Sequence, residues 1–208
     1  ALSDPNPLVA GQGIDRLKAA GIEVEVGDGA QLAEQQNPGF LSRMTRHKPW
    51  VRLKMAASLD GQTALQNGQS QWITGPEARA DGHAWRALSC AILTGIGTVI
   101  EDDPLLDLRL CPNLGATPRM PHLVIVDSRL ETPPSAQLFS HSGPEAATPR
   151  QVWLYAAVDD PAKRAALESK GAHVTLLPNP HGKVDLAALL TDLARREVNE
   201  LHVEAGHK

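Results

Sequence analysis

The chain has 208 residues, of which 42% are hydrophobic and 21% charged, with a formal net charge of −4 at pH 7. That content can bury a core in roughly one or two domains, and interspersed acids and bases exclude the basic face a nucleic-acid partner would need. No apolar run reaches the ~20 residues of a membrane helix, no basic-then-apolar leader opens the chain, and two cysteines make no disulfide framework. A cytoplasmic protein with neither nucleic-acid nor membrane partners is expected. An opening Ala and a final stretch that stops where a strand meets a loop are expected of a fragment cut from a longer protein.

Taken in order, a helix is expected from about Ala10 to Ala20, ended by Gly21 as a left-handed cap, then the alternating strand Ile22-Glu23-Val24-Glu25-Val26. Gln31 to Gln36 reads as a second helix. Asn37-Pro38 reads as a cap and first-turn proline for a third, reaching about His47. In the strand Val51 to Met55, the residues Val51, Leu53 and Met55 share one half-buried face and Arg52 and Lys54 the other. A polar turn, Ser58-Leu59-Asp60-Gly61, follows. Thr74 with Glu77 fits a capping box, and Pro76 sits in the first turn of a helix that carries Arg79 and Arg86. The strand Cys90 to Thr94, with Cys90 as a small core residue, runs into Gly95-Ile96-Gly97-Thr98 and Glu101-Asp102-Asp103-Pro104.

Cys111 to Pro121 holds three prolines and a glycine and reads as a loop. Leu123 to Val126 is continuously apolar, as in a strand buried on both faces. A Pro- and Ser-rich connection over 132–149 precedes a strand from Gln151 to Ala156. Asp160-Pro161 caps a helix to about Lys170 that Gly171 closes. A strand from Ala172 to Leu177, a helix from Asp185 to Arg196 and a strand from Glu200 to Val203 complete the chain. Strands alternating with helices predict a largely parallel sheet, an α/β fold with helices on both faces. Such sheets bind ligands at the carboxyl ends of their strands, which puts Ser58, Gly95 to Asp102, Ser128 and Glu204 on one rim.

The run Lys54 to Gly61, then Ser70-Gln71-Trp72-Ile73-Thr74, Trp85-Arg86-Ala87, Ala91 to Val99 and Asp102-Asp103-Pro104 resembles the reductase domain of the bifunctional riboflavin-biosynthesis deaminase/reductase. Asp4-Pro5-Asn6-Pro7 with Gly11 and Gly13 resembles the closing segment of that family's deaminase domain. The resemblance implies a dihydrofolate-reductase-like, mostly parallel sheet, with an antiparallel part usually supplied by the C-terminal segment, preceded by a βα remnant of a cytidine-deaminase-like domain. Residues 1–48 would be the end of the deaminase domain and a linker. Residues 49–208 would be the reductase domain, truncated at its C-terminus.

The same resemblance implies a reaction: hydride moves from NADPH to the ribose C1 of 5-amino-6-(5-phosphoribosylamino)uracil, opening ribosyl to ribityl. It implies cofactor contacts at Ala56, Trp72, Thr98, Asp102, Ser128, Ala205 and Gly206. Substrate contacts are implied at Ser70, Arg86, Leu106, Arg109 and Glu204, with Lys54 near the ribose end, and a homo-oligomer, dimer or tetramer, is expected. As catalytic residues, Lys54 is expected to protonate or polarise the ring oxygen while Glu204 holds the hydroxyls.

The residues have plainer readings beside these. Gly95 to Thr98 can bring backbone N–H groups to a pyrophosphate or be a plain strand-to-helix turn. Trp72 reads otherwise as a core aromatic, and Lys54, Arg86 and Arg109 as surface ion-pair partners rather than a phosphate clamp. Ser128 with Arg129 can grip a 2′-phosphate, which favours NADPH. The family's zinc-dependent deamination needs H-x-E followed by P-C-x-x-C. Here His202-Val203-Glu204 has no such sequel, so zinc is expected only in a deaminase part that this sequence lacks, and His141, His173 and His181 read as surface residues. A non-catalytic nucleotide-binding fragment and a dihydrofolate-reductase-type enzyme are the alternative functions.

Overall fold

The computed structural model describes residues 2–70, 72–108, 119–141 and 150–206. The chain packs as two units, residues 1–50 with 190–199, and residues 51–189 with 200–208. In the first unit α1 is Gln12–Ala19, α2 Ala30–Gln36 and α3 Pro38–Arg46. Proline opens α3 as expected, but the Asn37 side chain makes no cap: its amide donates backwards to the Ala33 carbonyl at 3.0 Å. Beyond α3, Ser42 Oγ donates to the Lys48 carbonyl at 2.9 Å and Arg43 Nε to Asn199 Oδ1 at 2.6 Å. The strand expected over Ile22 to Val26 does not form. Alternation makes a strand only when a neighbouring strand takes its backbone hydrogen bonds, and no described strand pairs with it.

A six-stranded sheet organises the second unit, in the order β1-β6-β2-β3-β4-β5. The strands are β1 Trp50–Leu53, β2 Ala91–Gly95, β3 His122–Val126, β4 Val152–Ala156, β5 Ala172–Leu176 and β6 Glu200–Val203. The β2–β3, β2–β6, β3–β4 and β4–β5 pairs are all parallel. Lys54 N donates to the Val203 carbonyl at 3.0 Å, tying the end of β1 to the end of β6. The helices of this unit are α4 Pro76–Leu88, α5 Ile96–Asp102 and α6 Pro161–Glu168, while α7 is Leu186–Arg195, of which residues 190–195 belong to the first unit. Helix α4 packs on β6, α5 on β2 and α6 on β5. No helix among the described residues is long and apolar enough to cross a membrane.

The core lies where the sequence is continuously apolar. Leu123 and Ile125 of β3, Val152 and Leu154 of β4, and Ile92 of β2 are completely buried, packed with Leu138 and Leu167. Each such side chain contributes roughly 1.5–3 kcal/mol by leaving water. On β1 the expected polarity is reversed: Val51, Leu53 and Met55 are 43%, 60% and 64% exposed, while Arg52 is half-buried. Arg52 is covered by the Trp85 ring of α4, which packs on the neighbouring β6. Cys90, expected in the core, is likewise only half-buried.

Two helix starts separate local from non-local control. At Asp160 the carboxylate accepts from the Ala162 and Lys163 amides at 3.1 Å, with Pro161 in the first turn, as the sequence implies. The Thr74–Glu77 capping box does not form. Helix α4 begins at Pro76 behind an extended Gly75, and the Thr74 carbonyl accepts from Arg79 Nη1 at 2.7 Å.

Candidate active site

Alternation along two neighbouring strands builds the site. Arg52 and Lys54 of β1, and Glu200, His202 and Glu204 at and beyond β6, project from one face of the sheet, because residues two apart on a strand share a face. Helix α4 answers with Arg79 and Arg86, seven residues or two turns apart and therefore on one side of the helix. Between them is a cleft of about 480 Å³ whose lining includes Lys54, Ala56, Trp72, Arg86, His202 and Glu204.

The centre of the cleft is an ion pair. Arg86 Nε donates to Glu204 Oε1 and its Nη2 to Glu204 Oε2 at 2.9 Å, a two-pronged grip, while Nη1 donates to the Asp107 carbonyl at 3.0 Å. Both side chains are nearly buried, at 14% and 13% exposure. Burial alone would push the Glu204 carboxyl up, but the Arg86 and His202 contacts outweigh it and hold the group well below the usual carboxylate range. His202 Nε2 lies 3.3 Å from Glu204 Oε1. The ring is 1% exposed, and neither nitrogen meets a hydrogen-bond partner among the described residues.

At the mouth, two arginines lie on indole faces. The Arg79 guanidinium sits 4.4 Å from the Trp72 ring centroid and that of Arg52 4.2 Å from Trp85, distances at which a cation is attracted by the aromatic face. Trp72 is 73% exposed, so its reading as a core aromatic is overturned. Arg52 also donates to Glu200 at 3.1 Å. The turn beyond β1 is held by Ser58, whose hydroxyl donates to Asp60 and accepts from the Gln62 amide at 3.1 Å. The Ser58 bond draws the Asp60 carboxyl below its ordinary value.

The cleft thus brings together Lys54, Ala56, Trp72, Arg86 and Glu204 of the expected site residues. Ser70, Thr98, Asp102, Leu106, Ser128, Ala205 and Gly206 do not line it. Thr98 and Asp102 ride on α5, which follows β2 with no intervening loop. The glycine loop expected at Gly95 to Thr98 is therefore a strand-to-helix turn: Gly95 is extended and Gly97 already lies in the helix. Ser128 follows β3, and its hydroxyl accepts from the Val184 amide at 3.2 Å. Leu106 is 4% exposed, at a φ of +48°. Arg109 and Cys111 lie outside the described residues. His173 and His181 are exposed, as expected.

Comparison with known proteins places this geometry in a family. The RibD C-terminal domain matches residues 49–208. The chain belongs to that family. It is 38% identical over 216 residues to the riboflavin biosynthesis protein RibD of Escherichia coli, a match covering 99% of this chain and 55% of that protein. Among solved structures it is similar to Acinetobacter baumannii RibD, with 40% identity and a TM-score of 0.82 over 99% of this chain and 53% of that one. It is also similar to a diaminohydroxyphosphoribosylaminopyrimidine deaminase/5-amino-6-(5-phosphoribosylamino)uracil reductase from Thermotoga maritima, with 26% identity and a TM-score of 0.73 over 98% of this chain and 51% of that one. The chain spans about half the length of the relatives it matches.

Within this RibD C-terminal domain, residues that the sequence reading passed over hold the expected ones in place. Arg150 is 3% exposed and donates to three carbonyls, Leu106 at 2.8 Å, Leu105 at 2.6 Å and Leu138 at 3.0 Å. Burial pushes its guanidinium down to about 10, against the pull of Asp107 upward, so it remains charged at neutral pH. It fixes the segment whose next carbonyl, that of Asp107, receives Arg86. Nothing local marks Arg150 for this task. The seven-residue spacing of Arg79 and Arg86, and the two-residue spacing of His202 and Glu204, were available signals.

Proposed function

We propose that residues 49–208 form the reductase domain of a riboflavin-biosynthesis deaminase/reductase, and that residues 1–48 are the end of the deaminase domain with its linker. The proposed reaction reduces 5-amino-6-(5-phosphoribosylamino)uracil to its ribityl counterpart with NADPH. The observation that carries the reading is the cleft, which sets a lysine, an arginine and a buried carboxylate around a space suited to a polyhydroxylated, phosphorylated sugar. Family membership and the name of the Thermotoga relative support the same substrate.

The rim suits a dinucleotide. In sheet order, β1 is followed in the chain by Ala56, β6 by Ala205 and Gly206, β2 by α5 with Thr98 and Asp102, and β3 by Ser128, an order that supports reading them as cofactor contacts. A Cβ built on Gly97 or Gly206 meets no neighbour within 4 Å, which leaves open space along this rim for a flat, extended ligand. The Ser128 hydroxyl, accepting from Val184, keeps its own proton to donate to a 2′-phosphate. When bound, NADPH supplies the hydride. The chain's own residues orient the sugar and balance charge. Lys54 delivers a proton to the ring oxygen as the ribose opens, Glu204 accepts from the sugar hydroxyls, and Arg86 grips the phosphate.

The test is loss of NADPH absorbance on mixing with the phosphoribosylaminouracil, alongside calorimetric titration with NADPH and NADH. NADPH binding tighter than NADH, with turnover that Lys54→Met lowers at least a hundredfold with little change in KM, is expected. Wild-type turnover in Lys54→Met would remove the proton-donor role. Binding without turnover would favour a non-catalytic nucleotide-binding module.

A further inference from the structure

The central ion pair poses a chemical problem for the reading above, on which this inference rests. Arg86 spends both prongs on Glu204 in the free protein. If its guanidinium is to grip a substrate phosphate with that same fork, it must loosen its hold on a carboxylate that is 13% exposed. A buried carboxylate without a partner is strongly disfavoured and must find another cation or take up a proton.

The groups that share the face and could respond are Arg52 and Lys54 from β1, Arg79, Asp81, His83 and Arg86 from α4, and Glu200 and Glu204 on the strand of His202 itself. Most are spoken for. Arg52 is held by Glu200 and the Trp85 ring, Arg79 by the Thr74 carbonyl and the Trp72 ring, and Asp81 accepts from Trp85 Nε1 at 3.1 Å. Lys54 lies exposed at the open end, where the sugar is proposed to need it. Among the described residues, His202 is the histidine set directly against the carboxylate. Its Nε2 is 3.3 Å from Glu204 Oε1, and both nitrogens are fully buried with no hydrogen bond among the described residues. A buried polar ring left unsatisfied costs stability and calls for a functional reason.

We infer that His202 is a positioning residue that takes up a proton when a sugar phosphate draws Arg86 away, and so becomes the cation that keeps Glu204 ionised and aimed at the substrate. The exchange is balanced: Glu204 loses the guanidinium, the ring gains one proton from solvent, and the charge around the carboxylate is preserved. Glu204 then remains a pure acceptor, the form that can take hydrogen bonds from two hydroxyls.

The experiment has two arms. In the first, ribose 5-phosphate is titrated into the chain by calorimetry at one pH in two buffers of different ionisation heat, which reads protons taken up per ligand bound. Uptake approaching one proton is expected for wild type. It should be lost in His202→Gln and His202→Phe, while binding persists with a weaker affinity, about tenfold. Binding with no uptake, or uptake unchanged in His202→Gln, would overturn the inference, the latter by assigning the proton to Glu204. Absence of binding to wild type would overturn the sugar-phosphate reading and the coupling with it.

The second arm needs no ligand. The fraction of His202 carrying both ring protons is read at pH 7.5 from nitrogen-15 spectra of histidine-labelled chain. Arg86→Met should raise it several-fold, Arg86→Lys less so because a lysine cannot form the two parallel bonds, and Glu204→Gln should lower it. A His202 signal indifferent to all three would overturn the inference whatever the first arm shows.

Discussion

Arg86 and Glu204 stand 118 positions apart, and each is a candidate site residue by the resemblance the sequence carries. What could not be read is that they hold one another, because only the parallel pairing of β6 with β2 brings the end of the chain beneath α4. The pair should matter for stability as well as binding. Removing one partner of a buried pair costs about 3–5 kcal/mol, since the other is left uncompensated. Glu204→Gln is expected to lose roughly that much at pH 7 by urea denaturation. Because the folded carboxyl sits below its unfolded value of about 4.3, its stabilisation is complete above that value and is lost as pH falls toward the folded one. The gap between wild type and variant should therefore narrow below about pH 4. A gap as wide at pH 3 as at pH 7 would show that the charge is not what stabilises.

At the scale of the element, what was legible is what is closed locally. Asp160-Pro161 carries its own cap, so the start of α6 was readable, and Asp160→Ala should cost about 1 kcal/mol in thermal unfolding. The Thr74–Glu77 box had the same local grammar and failed, because Arg79 takes the Thr74 carbonyl and the helix starts after Gly75. Likewise the alternation from Ile22 to Val26 lacks a described partner strand, and the apolar face of β1 is the one α4 does not cover. The turn at Leu105 to Asp107 is a sharper case. Its φ of +48° at Leu106 is strained for a branched side chain, and Arg150 holds it through the Leu105 and Leu106 carbonyls, a contact that no neighbouring sequence announces. Arg150→Met should cost about 2–4 kcal/mol and lower Tm by roughly 2–4 °C for each. It should also raise KM for the proposed phosphorylated substrate by freeing the carbonyl that orients Arg86. A raised KM is the readout that a purely structural role would not give.

Across the whole molecule, a largely parallel α/β sheet was readable from the alternation of strands and helices. The position of β6 was not, since sequence order does not announce that it lies between β1 and β2. Protection should grade accordingly. Amide hydrogens of β3 and β4, in the centre of the buried cluster, are expected to exchange slowest. Those of β1, with one partner strand and an exposed apolar face, should exchange at least a hundredfold faster in hydrogen-exchange mass spectrometry. Equal protection would mean that β1 is bound into the core more firmly than its exposure implies.

The insertion of β6 between β1 and β2 also sets an order of events during synthesis. Strand β1 and the arginine-bearing α4 leave the ribosome more than a hundred residues before β6, whereas β2 to β5 can pair as each emerges. Pairing over so long a separation is slow. Until Glu200 to Val203 arrive, β1 has no neighbour and Arg86 no carboxylate, so the nascent chain carries an apolar, unpaired edge of the kind that invites association. The part of the molecule proposed to do the chemistry thus forms after β2 to β5, and a chain released before residue 200 would lack β6 and with it the cleft that His202 and Glu204 line.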